Sequence, residues 1–204
     1  MKDKGQTGDL EKELGQALVR LARRTIAEKF TRTDVLTGGA FTDNGPGDNL
    51  IAPELQEERG TFVTLKINNR LRGCIGSLTG SEPLLANVQR NALNAAFHDP
   101  RFAPLSRDEL EQVEIEVSIL TEARQLSYSD AEDLLAKLRP QEDGVIIQQG
   151  PARATFLPQV WEQLPNPADF LSHLCRKAGL PGDAWCSGDL QVSTYQVQYF
   201  HENE

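Results

Sequence analysis

The stretch Thr61-Phe-Val-Thr-Leu-Lys-Ile67, followed by Asn68-Asn69-Arg70 and then Leu71-Arg-Gly-Cys-Ile-Gly76, decides how the rest of the chain is read. Val63, Leu65 and Ile67 alternate with Phe62, Thr64 and Lys66, the period of two that sends one set of side chains to each face of a sheet. Asn68-Asn69 is turn chemistry, since asparagine tolerates the left-handed backbone of a tight hairpin. A second apolar run begins at Leu71, so the stretch predicts a β-hairpin.

Upstream, Leu14, Leu18, Leu21 and Ile26 recur at near-helical spacing with charges between them, which predicts an amphipathic helix over Leu10 to Phe30. Gly38 to Pro53 collects glycines, asparagines and two prolines and reads as an irregular, flexible connection. Downstream, Pro83 opens a helix running to about Phe97, and Ser106-Arg-Asp-Glu109 has the hydroxyl and carboxylate spacing of a capping box. Val113, Ile115, Val117 and Ile119 alternate with Glu114, Glu116 and Ser118, predicting a half-buried strand whose polar face meets water or a cleft. A helix near Ser129 to Leu138, strands at Val145 to Gln148 and Ala152 to Phe156, and helices from Pro158 and Pro167 follow. Gln191 to His201 alternates again and reads as one last strand. Strands interrupted by helices of unequal length, without a regular βαβ rhythm, predict an α+β fold with a mostly antiparallel sheet and packed helices.

A chain of 204 residues with 39% apolar and 25% charged residues is long enough for one large domain or two small ones. Residues 10–204 are expected to form the domain, with a disordered tail over residues 1–9. That tail is polar and lacks the apolar centre of a signal peptide, so a cytoplasmic location is expected. No stretch approaches the ~20 apolar residues of a membrane helix. The net charge is −9, and Asp99 to Asp143 holds twelve acids against five bases, so nucleic acid is not an expected partner. Cys74, Cys175 and Cys186 form no CxxC pair and are odd in number, which fits free thiols in a reducing compartment. His173 and His201 share no ligand spacing with a cysteine, and no cofactor-binding motif is present, so neither metal nor cofactor is expected.

Strict alternation along Leu71 to Gly76 puts Arg72 and Cys74 on one face, where a guanidinium would favour the thiolate and make Cys74 a nucleophile. Gly73 and Gly76 lack side chains, so a ligand or another backbone segment can come close to the sulfur. The bland alternative is a small buried cysteine with Arg72 as an ion-pair partner. Arg101, in a Pro-bounded turn, could clamp a carboxylate or phosphate, or simply pair with Asp99. Glu114 and Glu116 could form an acid/base pair, although two carboxylates on a solvent face are commoner. His98 reads as an exposed helix-end imidazole more readily than as a base. Cys175 falls on an apolar helix stripe among Phe170, Leu171 and Leu174, a core position, and Thr155 could contact a ligand or cap the helix after it.

Leu71-Arg-Gly-Cys-Ile-Gly76, Asp99-Pro-Arg-Phe102, Ile115-Glu-Val-Ser118 and Ala154-Thr-Phe-Leu-Pro-Gln-Val160 resemble, in order, the recurring blocks of the AMMECR1 family. The resemblance implies an α+β fold with a larger and a smaller subdomain and the cysteine motif bordering a cleft between them. It also implies Arg72, Gly73, Cys74, Gly76, Asp99, Arg101 and Thr155 as site positions. The chain further resembles the A component of the AmmeMemoRadiSam group, which implies Memo-like and radical-SAM proteins as partners. The family supplies no agreed reaction. Two functions are therefore carried forward: an enzyme using Cys74 and Arg72 on a small anionic ligand, with Gly73, Gly76, Asp99, Arg101 and Thr155 binding it, or an adaptor module that presents the motif to partner proteins.

Overall fold

The computed structural model describes residues 10–34 and 52–202. The expected tail and nearly all of the expected connection over Gly38 to Pro53 lie outside the described residues. The chain divides into two units, residues 1–120 with 198–204, and the intervening residues 121–197.

In the first unit, α1 (Lys12–Asp34) buries Leu18, Leu21, Ala22 and Ile26 along one stripe, as its sequence period requires. β1 (Thr61–Ile67) and β2 (Arg70–Ser77) form the antiparallel hairpin, and Asn68 and Asn69 turn it with φ of 51° and 60°. α2 (Leu84–Phe97) follows, then the short α3 (Arg107–Leu110), whose capping box is formed by Ser106 and Glu109. β3 (Glu114–Leu120) pairs antiparallel with β1 and lies between it and β8 (Val197–His201), giving the strand order β2-β1-β3-β8. Val63, Leu65, Ile115 and Val117 face a core shared with Leu18, Leu84, Val88 and Ala92 of the helices.

The second unit has a four-stranded sheet of its own, with β4 (Arg124–Gln125), β5 (Gly144–Gln149), β6 (Ala152–Phe156) and β7 (Gln191–Tyr195) in the order β4-β7-β5-β6. α4 (Ala131–Lys137) is capped by Asp130, and α5 (Pro167–Lys177) by Asn166 with proline at its first position. The helix expected from Pro158 is a short 3-10 helix, Pro158–Glu162. Trp161 stacks on Phe170 with centroids 3.6 Å apart, and its indole donates to the Asp143 carbonyl. Cys175 is fully buried in this core, where burial pushes its thiol pKa up.

Two expectations are corrected. The single strand over Gln191 to His201 is two strands in different sheets: β7 ends at Tyr195 and β8 begins at Val197, with Gln196 bonded to Thr121 in between. Alternation fixes which residues share a face but carries no information about which sheet the strand joins. β3 is also not half-exposed, since Glu116 and Ser118 are buried and Glu114 alone is open. A central strand is flanked on both edges, so its polar face can be closed off as completely as its apolar one. Among the described residues no helix is long and apolar enough to cross a membrane.

Candidate functional site

The hairpin register determines what surrounds Cys74. From the turn, Ile67 faces Arg70 and Lys66 faces Leu71, but Leu65 then faces Gly73, so Arg72 is the extra residue of a β-bulge. Without the bulge Cys74 would face Val63, on the side packed against the helices. With it, Cys74 faces Thr64 on the polar side.

Cys74 is half-buried. Its amide donates to Asp99 Oδ2 at 2.9 Å, and its carbonyl accepts from Arg101 Nη2 at 3.1 Å. Both main-chain groups thus point away from β1, which makes Thr64 and Cys74 a non-hydrogen-bonded pair, the geometry in which facing side chains come closest. Thr64 Oγ1 donates to Cys74 Sγ at 3.3 Å. Asp99 is buried and gripped twice by Arg101, Nε to Oδ1 at 2.9 Å and Nη2 to Oδ2 at 2.7 Å. That guanidinium holds the Asp99 carboxyl well below the usual carboxylate range, and the Cys74 and Arg101 amides outweigh, with it, the opposing effect of burial. The Arg101 pKa is raised in turn, first by Asp99 and to a smaller degree by the Cys74 side chain.

Arg72 does not join the sulfur as strict alternation suggested. The bulge turns it to Glu109, which it grips through Nε at 2.7 Å and Nη2 at 3.0 Å. This fork, helped by the Ser106 amide, lowers the Glu109 pKa to about 2, and Glu109 in turn raises that of Arg72. Both guanidiniums lie over the Phe102 ring, at 5.9 Å for Arg72 and 5.6 Å for Arg101. The arginine beside Cys74 is therefore Arg101, which donates to its carbonyl.

The room beside the two glycines is taken by protein. A Cβ on Gly73 would lie 2.2 Å from the Ala95 carbonyl oxygen of α2, and one on Gly76 would meet Thr61 O at 2.2 Å and the Phe62 ring at 2.4 Å. Of the two alternatives the sequence left open, another backbone segment is the one present at Gly73. Thr155 lies in the second unit, where its hydroxyl donates to Val145 O at 2.9 Å and sits 3.0 Å from the Tyr195 hydroxyl. It caps no helix, since the 3-10 turn after it has no side-chain cap. Burial pushes the Tyr195 phenol up to about 12, against the hydrogen bond with Thr155.

His98 is the exposed C-terminal cap of α2. Glu116 is the residue that sequence reasoning undervalued. It is 4% exposed, with Lys66 Nζ 2.8 Å and His201 Nδ1 3.4 Å from its Oε2. Thr64 was missed altogether, and the only signal for it was the register of the hairpin, which the bulge conceals. Among the described residues no three His, Cys, Asp or Glu side chains converge as metal ligands would.

The sequence profile of the AMMECR1 family matches residues 19–200. A protein of Methanopyrus kandleri is 38% identical over 201 residues, covering 94% of this chain and 90% of the relative. One from Methanosarcina barkeri is 39% identical over 191 residues, 93% of this chain and 91% of its own length. The crystal structure of an uncharacterized protein from Pyrococcus horikoshii superposes with a TM-score of 0.75 at 34% identity, covering 95% of this chain and 94% of that one. Profile, relatives and fold agree across both units and across the cysteine motif, and the chain belongs to the AMMECR1 family.

Proposed function

We propose that Cys74 is a nucleophile acting on a small anionic compound. The observation that carries this reading is how the residue is held: both of its main-chain groups are fixed by the Asp99–Arg101 pair while its sulfur accepts a hydroxyl hydrogen bond. Packing alone requires none of these contacts, and Cys175, fully buried in an apolar cluster, meets only a backbone amide, that of Trp185, at its sulfur. A hydroxyl donor and a nearby guanidinium are partners suited to a sulfur nucleophile. The anionic part of the substrate would meet Arg101. Its side chain is 54% exposed, and its Nη1 has no hydrogen-bond partner among the described residues.

Alkylation of Cys74 by iodoacetate and by iodoacetamide, followed at the peptide level, tests this. Arg101→Gln is expected to lower the iodoacetate-to-iodoacetamide rate ratio at Cys74 several-fold while leaving the ratio at exposed Cys186 unchanged, and Arg101→Lys should keep part of the preference. A Cys74 that reacts with neither reagent in the folded protein would sink the nucleophile reading.

One observation favours the adaptor reading. Leu71 is 44% exposed beside an open depression of about 550 Å³ lined by Ile67, Asn68, Arg70, Leu71 and Arg72 at the hairpin end. Such a patch suits protein recognition, for which Memo-like and radical-SAM proteins are the candidates the family resemblance offers. Leu71→Asp should then abolish partner capture and leave Cys74 alkylation unchanged.

A further inference from the structure

The sheet face that carries Cys74 holds a second group able to do chemistry. Thr64 is the cross-strand partner of both Cys74 and Glu116, so the three side chains form one row over β2, β1 and β3. Glu116 is buried, only 4% exposed, a placement that costs free energy unless the carboxylate is paired. Lys66 and His201 both approach the same oxygen, Oε2, and Oε1 accepts no hydrogen bond among the described residues. Glu114, which faces Lys66 across the ladder, is exposed. The buried carboxylate is thus held from one side by a lysine and an imidazole, with its other oxygen left to accept a proton.

Resting on the nucleophile reading of Cys74, we infer that Glu116 is the general base that frees Cys74 from a covalent intermediate, and that the substrate is an acyl compound. In the first half-reaction the sulfur bonds to the acyl carbon, the bond to the leaving group breaks, and the leaving group departs with the thiol proton. In the second, Glu116 Oε1 takes a proton from water as the water oxygen bonds to the acyl carbon. The carbon–sulfur bond then breaks, and the sulfur recovers the proton from Glu116. The products are a carboxylic acid and the free thiol, with no change of oxidation state.

The spacing suits this division. Facing Cα atoms lie about 4.5 Å apart in a non-hydrogen-bonded pair and about 5.5 Å in a hydrogen-bonded one, so the Cys74 and Glu116 backbones stand roughly 10 Å apart with both side chains on one face. Thr64 between them is small. That separation accommodates an acyl carbon on the sulfur and one water within hydrogen-bond reach, ~3 Å, of the carboxylate. Lys66 and His201 act through Glu116 and are positioning residues.

The experiment uses p-nitrophenyl acetate as probe, with stopped-flow release of p-nitrophenol and intact-mass detection of acetylated protein. The wild type should show a burst of about one equivalent followed by steady turnover, with the acetyl group on Cys74. Glu116→Gln should burst at the wild-type rate, accumulate acetyl-Cys74 and turn over at least ~100-fold more slowly. His201→Gln should leave the burst intact and slow deacetylation by a smaller factor. Equal deacetylation rates in the wild type and Glu116→Gln overturn this inference and leave the nucleophile standing; no burst and no acetyl-Cys74 in the wild type also overturn this inference, and overturn the nucleophile with it where Cys74 resists iodoacetate and iodoacetamide as well. Should Glu116→Gln fail to fold, Glu116→Asp, which keeps the charge and withdraws it by one methylene, decides by the same criterion: an unchanged deacetylation rate overturns the inference.

Discussion

Each unit of the molecule builds a four-stranded sheet and covers it with helices, yet they differ in what they bury. In the second unit the core is Trp161, Phe170, Leu171, Leu174, Val145 and Ile147, and Asp143 is the single charged or polar residue buried among the described residues. The first unit buries Arg59, Thr61, Thr64, Asn87, Asn91, Asp99, Glu116 and Ser118. Asn91 donates to Thr61, Asn87 to the Arg59 carbonyl, and Asp99 holds the strand of the cysteine motif. A buried polar group costs about 1–3 kcal/mol when its partner is lost, so a unit that carries so many is constrained by more than packing. On the proposed function, the difference is that between a second unit serving as scaffold and a first unit carrying the site.

The largest expected effect tests whether the glycines of the two units are equally tolerant. Gly73→Val drives a side chain into the Ala95 carbonyl, which is helix backbone and cannot rotate away, so the loss should reach about 3 kcal/mol or prevent folding. Gly150→Ala in the second unit has φ of +55° and open space around the position, so only backbone strain of about 1 kcal/mol is expected. Urea midpoints of both variants measure the contrast, and equal losses would erase it.

The next effect compares the two buried carboxylates. Asp99 is gripped by Arg101, and Asp143 by Arg139, with Nη2 to Oδ1 at 2.6 Å. Asp99→Asn and Asp143→Asn should each lose about 2–3 kcal/mol, the size of a charge-assisted hydrogen bond. Only Asp99→Asn should also change the alkylation rate of Cys74. If Asp143→Asn changes it as much, the separation of scaffold from function fails.

Smaller still is the acid response. The folded Glu109 has its pKa lowered from the ordinary 4.5 to about 2, chiefly by Arg72. A depressed carboxylate stabilises the fold above its unfolded pKa, and that contribution is lost as pH falls from about 4.5 through about 2. Glu109→Gln should therefore cost ~1–2 kcal/mol at pH 7 and flatten the stability curve across that window. In the second unit Glu142 pairs with Arg139 with both side chains more than half exposed, so Glu142→Gln should leave the curve within ~0.5 kcal/mol.

Much of the fold was legible because the signals are local: the stripe of α1, the Asn68-Asn69 turn, the Ser106 capping box and the Asn166-Pro167 helix start each depend on residues close in sequence. The site was legible as a motif and not as a geometry. Asp99 and Arg101 lie beside Cys74, but the bulge at Arg72 has no local signature, and it exchanges the arginine that neighbours the cysteine. Glu116 was hidden for a different reason. Its burial follows from β3 lying between two strands, and the neighbour on one side, β8, is some eighty residues away in the chain. Thr155 was a site position only through the resemblance of its block to the family, and its hydroxyl bonds within its own sheet.

The smallest effect is the sharpest test of how Cys74 is held. Exposure alone ranks the thiols, with Cys186 exposed, Cys74 half-buried and Cys175 fully buried, so iodoacetamide should label them in that order. The absolute order therefore says little about activation, and the response to substitution says more. Thr64→Val removes the hydroxyl that donates to Cys74 Sγ while keeping nearly the same shape, and should slow labelling of Cys74 about two- to tenfold, corresponding to a hydrogen bond of about 0.5–1.5 kcal/mol. Arg72→Gln should leave that rate unchanged, because its guanidinium is spent on Glu109. Peptide-level mass spectrometry of a labelling time course reads all three cysteines in one sample, with Cys186 as internal reference. If Arg72→Gln slows Cys74 and Thr64→Val does not, then the side chains around the sulfur in solution follow strict alternation along the strand, and the bulge that turns Arg72 away does not persist there.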